Sequence, residues 1–286
     1  MVWDDHRDGV HWAIYGQFVS NAGALVGGNF VISAPLDGQD EKGASVAFDG
    51  TNFLVVWQLN STAGGNHNVA YGVFISPTGT MGAPFAIGQS VSPNRNFIDL
   101  VFSGTNYLVV WMHDSGLGNP NPPIWNLHGR LVTPAGAFPG NEFAIVTTGN
   151  PALPFLSFDG ANYLLSWNEG GIFNSTNVSV RFQFLNPSGQ PAGPPFSSFV
   201  AQGNQAPLVA THLYDGKRFV AAATLSAGGW LATNNAGIYG TFIPKSTEPP
   251  RLDVAGPLTD TQLPLRLTGT PGISYLIIAG KTRALN

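Results

Sequence analysis

The chain has 286 residues, of which only 10% are charged, with 12 Lys and Arg against 16 Asp and Glu and a net charge of −4. So few cations argue against a nucleic-acid partner or a polybasic membrane surface. An aromatic content of 12% argues against disorder, and the absence of Cys removes disulfide and thiolate chemistry while leaving the redox compartment open. No run of about 18 apolar residues is present, nor a basic stretch leading into an apolar one, so neither membrane insertion nor a signal peptide is expected.

In chain order, the predicted elements repeat. Val2-Trp3 reads as the end of a strand, and Ile14 to Val19 is a second strand leading to Gly23. Val46 to Trp57 (VAFDGTNFLVVW) then forms two strands around an Asp-Gly turn, and Tyr71 to Ile75 leads to Gly79. The same pair of blocks recurs as Leu100 to Trp111 (LVFSGTNYLVVW) with His128 to Val132 before Gly136, and as Leu156 to Trp167 (LSFDGANYLLSW) with Arg181 to Leu185 before Gly189. A degenerate copy runs from His212 to Thr224 and is followed by Tyr239 to Phe242. The turn glycines Gly50, Gly104, Gly160 and Gly216 stand 54, 56 and 56 residues apart. A short apolar strand near Phe30, Phe85, Phe143 and Phe196 closes each of the first four copies.

Each repeat thus predicts four short antiparallel strands, with a tight hairpin at the Asp-Gly. Four such strands at a period of about 55 predict an all-β, five-bladed β-propeller. A stacked β-solenoid is the competing arrangement. The blades are expected at about 1–36, 37–92, 93–149, 150–203 and 204–250, with the inner strands starting near Ser45, Asp99, Phe155 and Val209. Val2-Trp3 matches Val56-Trp57, so the first blade lacks its innermost strand. Residues 251–286, beyond the Pro249-Pro250 hinge, are expected to close the ring or to be the remnant of a following β-sandwich.

Residues 2–243, through the Asp-Gly-x-Asn-Tyr-Leu-Val-Val-Trp and Tyr-Gly-x-x-Val patterns, resemble the repeats of bacterial secreted and cell-surface β-propeller proteins. Leu265 to Ala279 looks like the start of a small β-sandwich that often follows such repeats. The resemblance implies a propeller fold and a secreted or cell-surface ancestry. That family has no single activity, so it implies little chemistry.

Residues that repeat read as packing: Trp57, Trp111 and Trp167 at one position, Phe48, Phe102, Phe158 and Tyr214 at another. His128 stands where other copies have Tyr15 and Tyr71, and is read as a structural aromatic. Asp49, Asp159 and Asp215 should cap backbone N–H groups in the turns. Function is sought where the copies diverge, in the loops after each second strand and before each first strand. These hold Asp4, Asp5, His6, His11, Asn60, His67, His113, Asp114, Asn168 and Glu169, with Arg95 ahead of the third blade and His212 in the fifth. Catalytic roles are expected of His113, Asp114, Glu169, Asp4 and Asp5. Ligand binding is expected of His6, His11, His67, Asn60, Asn168, Arg95 and His212.

Carboxylates with imidazoles hold a divalent metal or poise a water, so Asp4, His113 and Asp114 are the candidate ligands for Ca, Zn or Mg. A paired-carboxylate glycosidase is a second form of the same idea, by analogy of fold alone. No Gly-rich phosphate loop precedes a helix, so no nucleotide cofactor is expected. The scaffold repeats while the polar rim does not, which favours one asymmetric site. A hydrolase of ester, phosphoester or glycoside bonds is therefore expected, at the mouth of the central channel. A carbohydrate-binding or adhesion module without turnover, or a purely structural surface domain, are the alternatives. The partner is then a small molecule or a glycan, and the oligomeric state is open.

Overall fold

The computed structural model describes residues 1–34, 39–61, 67–90, 97–114, 124–170, 179–199, 205–227, 237–245, 251–254 and 265–268. Five antiparallel sheets of three or four strands follow one another along the chain. The first holds β1 (Val2–Asp5), β2 (Ala13–Val19) and β3 (Leu25–Ser33). The second holds β4 (Gln39–Phe48), β5 (Phe53–Ser61), β6 (His67–Ile75) and β7 (Phe85–Ser90). The third holds β8 (Ile98–Phe102), β9 (Tyr107–Asp114), β10 (Trp125–Val132) and β11 (Phe143–Val146). The fourth holds β12 (Ala152–Phe158), β13 (Tyr163–Glu169) and β14 (Ser179–Leu185). The fifth holds β15 (Gln205–Tyr214), β16 (Arg218–Ala227) and β17 (Gly237–Pro244).

Apolar residues occupy successive positions of the second strands, so both faces of a sheet are apolar. Leu54 and Val56 of β5 pack with Val109 and Trp111 of β9, whereas Val55 and Trp57 pack with Ile14 of the first sheet. Leu108 and Val110 of β9 pack in turn with Leu156 and Leu165 of the fourth sheet, and Leu164 with Ala221 of the fifth. The second, third and fourth sheets therefore each bury one face against the sheet before and the other against the sheet after, while the first and fifth are each seen to pack against one neighbour. Strands β1, β4, β8, β12 and β15 lie side by side in that order along the inner edges.

The repeated turns behave as their chemistry requires. Asp49 Oδ1 accepts from the N–H groups of Thr51 and Asn52, Asp159 Oδ1 from Ala161 and Asn162, and Asp215 Oδ1 from Lys217 and Arg218. In the third sheet Ser103 Oγ takes that place, accepting from Asn106 N. The next residue has φ between 89° and 96° at Gly50, Gly104, Gly160 and Gly216, a region that only glycine occupies without strain. Rings close each hairpin: Phe48 with Phe53, Phe102 with Tyr107, Phe158 with Tyr163 and Tyr214 with Phe219, at 4.6, 4.8, 5.0 and 5.2 Å between centroids.

Two features differ from expectation. The outer strand of the fourth sheet is reduced to one bridge, Phe182 with Phe196. Among the described residues the fifth sheet has no fourth strand. Among the described residues the tail strands β18 (Arg251–Val254) and β19 (Leu265–Thr268) pair with each other; residues 255–264 and 269–286, on which the expected closure of the ring also rests, lie outside the described residues. Leu213, Ile238 and Phe242 on the fifth sheet, and Leu25 and Val26 on the first, are exposed. Among the described residues, no helix is long and apolar enough to cross a membrane.

Candidate functional site

Two positions on one face of each sheet, the face turned towards the preceding sheet in the second to fourth sheets, decide the local chemistry. One lies two residues beyond the repeated Trp on the second strand: Asp5, Leu59, His113 and Glu169 in the first four sheets. The other lies opposite that Trp on the third strand: Tyr15, Tyr71, His128 and Arg181. Residues two apart on a strand share a face, as do directly opposed residues, so these two positions are diagonal neighbours.

In the first and fourth sheets this corner holds an internal ion pair. Asp5 accepts from Trp3 Nε1 at 2.9 Å and from Arg7 Nη2 at 2.6 Å, while Arg7 lies 3.7 Å over the Tyr15 ring and donates to Asn29. Arg7's hydrogen bonds hold the Asp5 carboxyl well below the usual carboxylate range. Arg181 Nε lies 3.6 Å from Glu169 Oε2, which also accepts from Ser179 Oγ at 3.3 Å.

The third sheet inverts the pattern. Both diagonal positions are histidines, with rings stacked 3.9 Å apart at 9°. The carboxylate comes from Glu142, just ahead of β11, because the pairing of Gly129 with Phe143 brings it beside His128. Glu142 Oε1 lies 3.0 Å from His128 Nδ1 and 4.0 Å from His113 Nδ1. The three side chains are partly buried, and their ligand atoms all lie within 4.8 Å of one another. Among the described residues this is the one trio of His and carboxylate groups within such range. The nearby Arg130 is committed elsewhere, donating to Ile87 O at 2.7 Å and lying 3.7 Å over Phe138.

The trio sits in the cleft between the second and third sheets. Gly88 of β7 forms the opposing wall, and a Cβ there would lie 2.4 Å from Trp111 Cζ2 and 3.1 Å from Glu142 Oε2. Trp111 is fully buried among close-packed side chains, which leaves the ring little space to retreat into. Gly88→Ala should therefore lower stability by about 1–3 kcal/mol in a denaturant titration and displace Glu142.

The other expected site residues are distributed as follows. Asp4 accepts from the Gly43 and Ala44 N–H groups at 2.9 and 3.1 Å, tying β1 to a bulge in β4. His6 stacks on Trp12 at 4.9 Å, and His11 Nδ1 lies 3.9 Å from Asp40. Asn168 is buried with Oδ1 unpartnered. His212 is buried between Ser157 Oγ, 2.5 Å from Nδ1, and Ser166 Oγ, 3.1 Å from Nε2. Asn60 and His67 are paired backbone positions at the ends of β5 and β6, and Asp114 ends β9. The side chains of these three lie outside the described residues, as does Arg95.

Two members of the trio escaped the sequence reading. His128 does replace the tyrosine, facing Trp111 as Tyr71 faces Trp57, yet it also bonds Glu142. Glu142 carries no motif. Only the register between β10 and β11 could have placed it, and that register shifts at a bulge between Leu127 and His128.

No family model matches the chain, and comparison with curated proteins gives no match. Among solved structures, an α-L-arabinofuranosidase from Lactobacillus brevis aligns with a TM-score of 0.48 at 11% identity, over 84% of this chain and 89% of that one. A thermostable family-43 glycoside hydrolase aligns at 0.46 and 12%, over 73% and 77%. A Bacteroides ovatus GH43B protein aligns at 0.45 and 13%, over 94% of this chain and 53% of that one. Likeness of this degree bears on neither the site nor the reaction.

Proposed function

We propose that this chain is a metal-assisted hydrolase in which His113, His128 and Glu142 hold a divalent cation. The observation that carries the reading is the convergence of two imidazoles and one carboxylate in a corner where two other sheets place an arginine–carboxylate pair. Two nitrogens and one oxygen suit zinc better than calcium or magnesium, which favour oxygen ligands. A tetrahedral zinc site has ligand atoms about 3.3 Å apart, given metal–ligand bonds of about 2.0–2.1 Å. Glu142 Oε1 is 3.0 and 4.0 Å from the two Nδ1 atoms and all three ligand atoms lie within 4.8 Å of one another, so the stacked rings must rotate to turn both lone pairs onto one cation. Three protein ligands leave one position for water, whose pKa a bound zinc lowers to about 7.

In this reading His113 and His128 present unprotonated ring nitrogens, and Glu142 supplies the charge that balances the cation. Asp114, next to His113 in sequence, is the group assigned to proton transfer. Asp5 and Glu169 are assigned to their own sheets and Asp4 to the junction of β1 with β4, since each carboxylate is already engaged by an arginine or by backbone N–H groups. The five sheets are read as blades of one propeller closed around an axis, of secreted or cell-surface ancestry, acting on a small molecule or a glycan. The support for this is the same face-to-face burial at four successive sheet junctions.

Chelated protein titrated with ZnCl2 should take up one equivalent by elemental analysis and gain thermal stability. His113→Ala and Glu142→Gln should abolish both. A panel of ester, phosphoester and glycoside substrates should show turnover only in the zinc-loaded wild type. Unchanged uptake in both variants overturns the site. Stoichiometric uptake with no turnover on any substrate replaces the hydrolase with a non-catalytic carbohydrate-binding or adhesion module.

A further inference from the structure

The inner strands enclose a second feature, independent of the trio. A cavity of about 330 Å³ lies among β4, β8, β12 and β15, walled by Phe97, Phe155 and Leu153. Among the described residues its one ionisable lining group is Asp99, and Ser45 is the other polar side chain on the wall. Asp99 is buried, accepting from Ser45 Oγ at 2.7 Å and Leu156 N at 2.8 Å. Both donors are neutral, and among the described residues Asp99 has no ion-pair partner.

The titratable groups on the strands around it are bound elsewhere. Asp4 of β1 holds the Gly43 and Ala44 N–H groups, Lys42 pairs with Asp40, and Glu41 accepts from Ser33 and Trp57. His113 of β9 is beside Glu142, and His212 of β15 is held by Ser157 and Ser166. A buried carboxylate without a counter-charge is costly unless a cation joins it. The cavity wall carries a second mark: Leu153 has φ 56°, at the position where the second sheet has Gly43 with φ 71°. A leucine in that region is strained, and such strain concentrates where a ligand is held.

We infer that this axial cavity binds a small organic ammonium ion with an apolar or aromatic body, its N–H groups on Asp99 and its body against Phe97 and Phe155. The volume is at the lower end for ligand sites, which suits a ligand of about one ring. Aromatic walls favour a cation with a ring over a bare metal ion. Burial raises the Asp99 carboxyl to about 6, so the anion that recruits the cation is lost on mild acidification.

The test is calorimetric titration of the wild-type protein with benzylammonium and with benzyl alcohol, which is similar in shape but uncharged. Benzylammonium should bind at pH 7.5 and at least tenfold more weakly at pH 5, where it is still protonated. Benzyl alcohol should bind at least tenfold more weakly than the ammonium at pH 7.5. Asp99→Asn should lose the preference for the ammonium. Because Asp99 also ties β4 to β12, that variant is checked for folding by circular dichroism, and the wild-type arms stand without it. Equal binding of the two probes, no binding of the ammonium at millimolar concentration, or an affinity unchanged at pH 5 overturns the inference. Adding a chelator throughout keeps the outcome separate from the zinc site.

Discussion

Trp111→Ala should destabilise the protein by about 3–5 kcal/mol, the cost of removing a large side chain from a close-packed interior. Trp111 is fully buried at the junction of the second and third sheets, against Ile87, Ile98 and the bare backbone of Gly88. The same contact gives a coupling test. Gly88→Ala clashes with the indole in the wild type, but the space is free once Trp111 is Ala. The penalty of Gly88→Ala should therefore nearly vanish in the Trp111→Ala background, a non-additivity of about 1–3 kcal/mol. Trp111 also faces His128 across the strands, so the single variant should weaken zinc uptake without touching a ligand. Additive penalties in the denaturant titration of the double variant would show that the close approach is not the source of the effect.

The second large effect is in the pH dependence of stability, where two buried groups oppose each other. Burial pushes the His212 imidazole down to about 3, from an ordinary value near 6.5. The unfolded chain then binds more protons than the folded one between pH 3 and 6.5, so this group lowers stability as pH falls through that window. Asp99 has the opposite sign. Its folded value of about 6 lies above the unfolded value of about 3.9. Its contribution is full below about pH 3.9 and is lost as pH rises through 6. Each slope is about 1.4 kcal/mol per pH unit. Between pH 6 and 4 the two nearly cancel in the wild type.

His212→Gln keeps a donor and an acceptor for Ser157 and Ser166 but cannot titrate. The variant should become more stable from pH 6 to 4, by about 2–3 kcal/mol relative to the wild-type trend. Asp99→Asn should become less stable over the same range. Chemical denaturation at half-unit pH steps reads both. Parallel curves for wild type and His212→Gln would mean that the imidazole is not held neutral in the folded state.

Much of the fold was legible because the repeat is a local pattern. Asp49-Gly50 and its copies fix a hairpin from within a few residues, and the Leu-Val-Val-Trp run fixes a strand that is apolar on both faces. The outermost strands were less legible. The segment around Phe196 makes one bridge where an apolar run suggested a strand, since an edge strand gains from pairing on one side only. The same limit applied to the site. Divergence at His113 was visible, and that residue is in the trio, but Asp5 and Glu169 are engaged within their own sheets, Asp4 is bound to the backbone of β4, and the Asp114 side chain lies outside the described residues.

The sequence by itself determined the period, the order of strands within each sheet, the turn caps and the packing role of the repeated Trp. These depend on near neighbours and on alternation along one strand. Only the tertiary structure decided that Glu142 meets His113 and His128, that Gly88 leaves room for Trp111, and that Asp99 has no ion-pair partner among the described residues in the cavity between β4, β8, β12 and β15. Each of those contacts joins residues across strands or across sheets. Its geometry is set by register, bulges and the spacing of packed faces, and none of these is written in the local pattern of either partner.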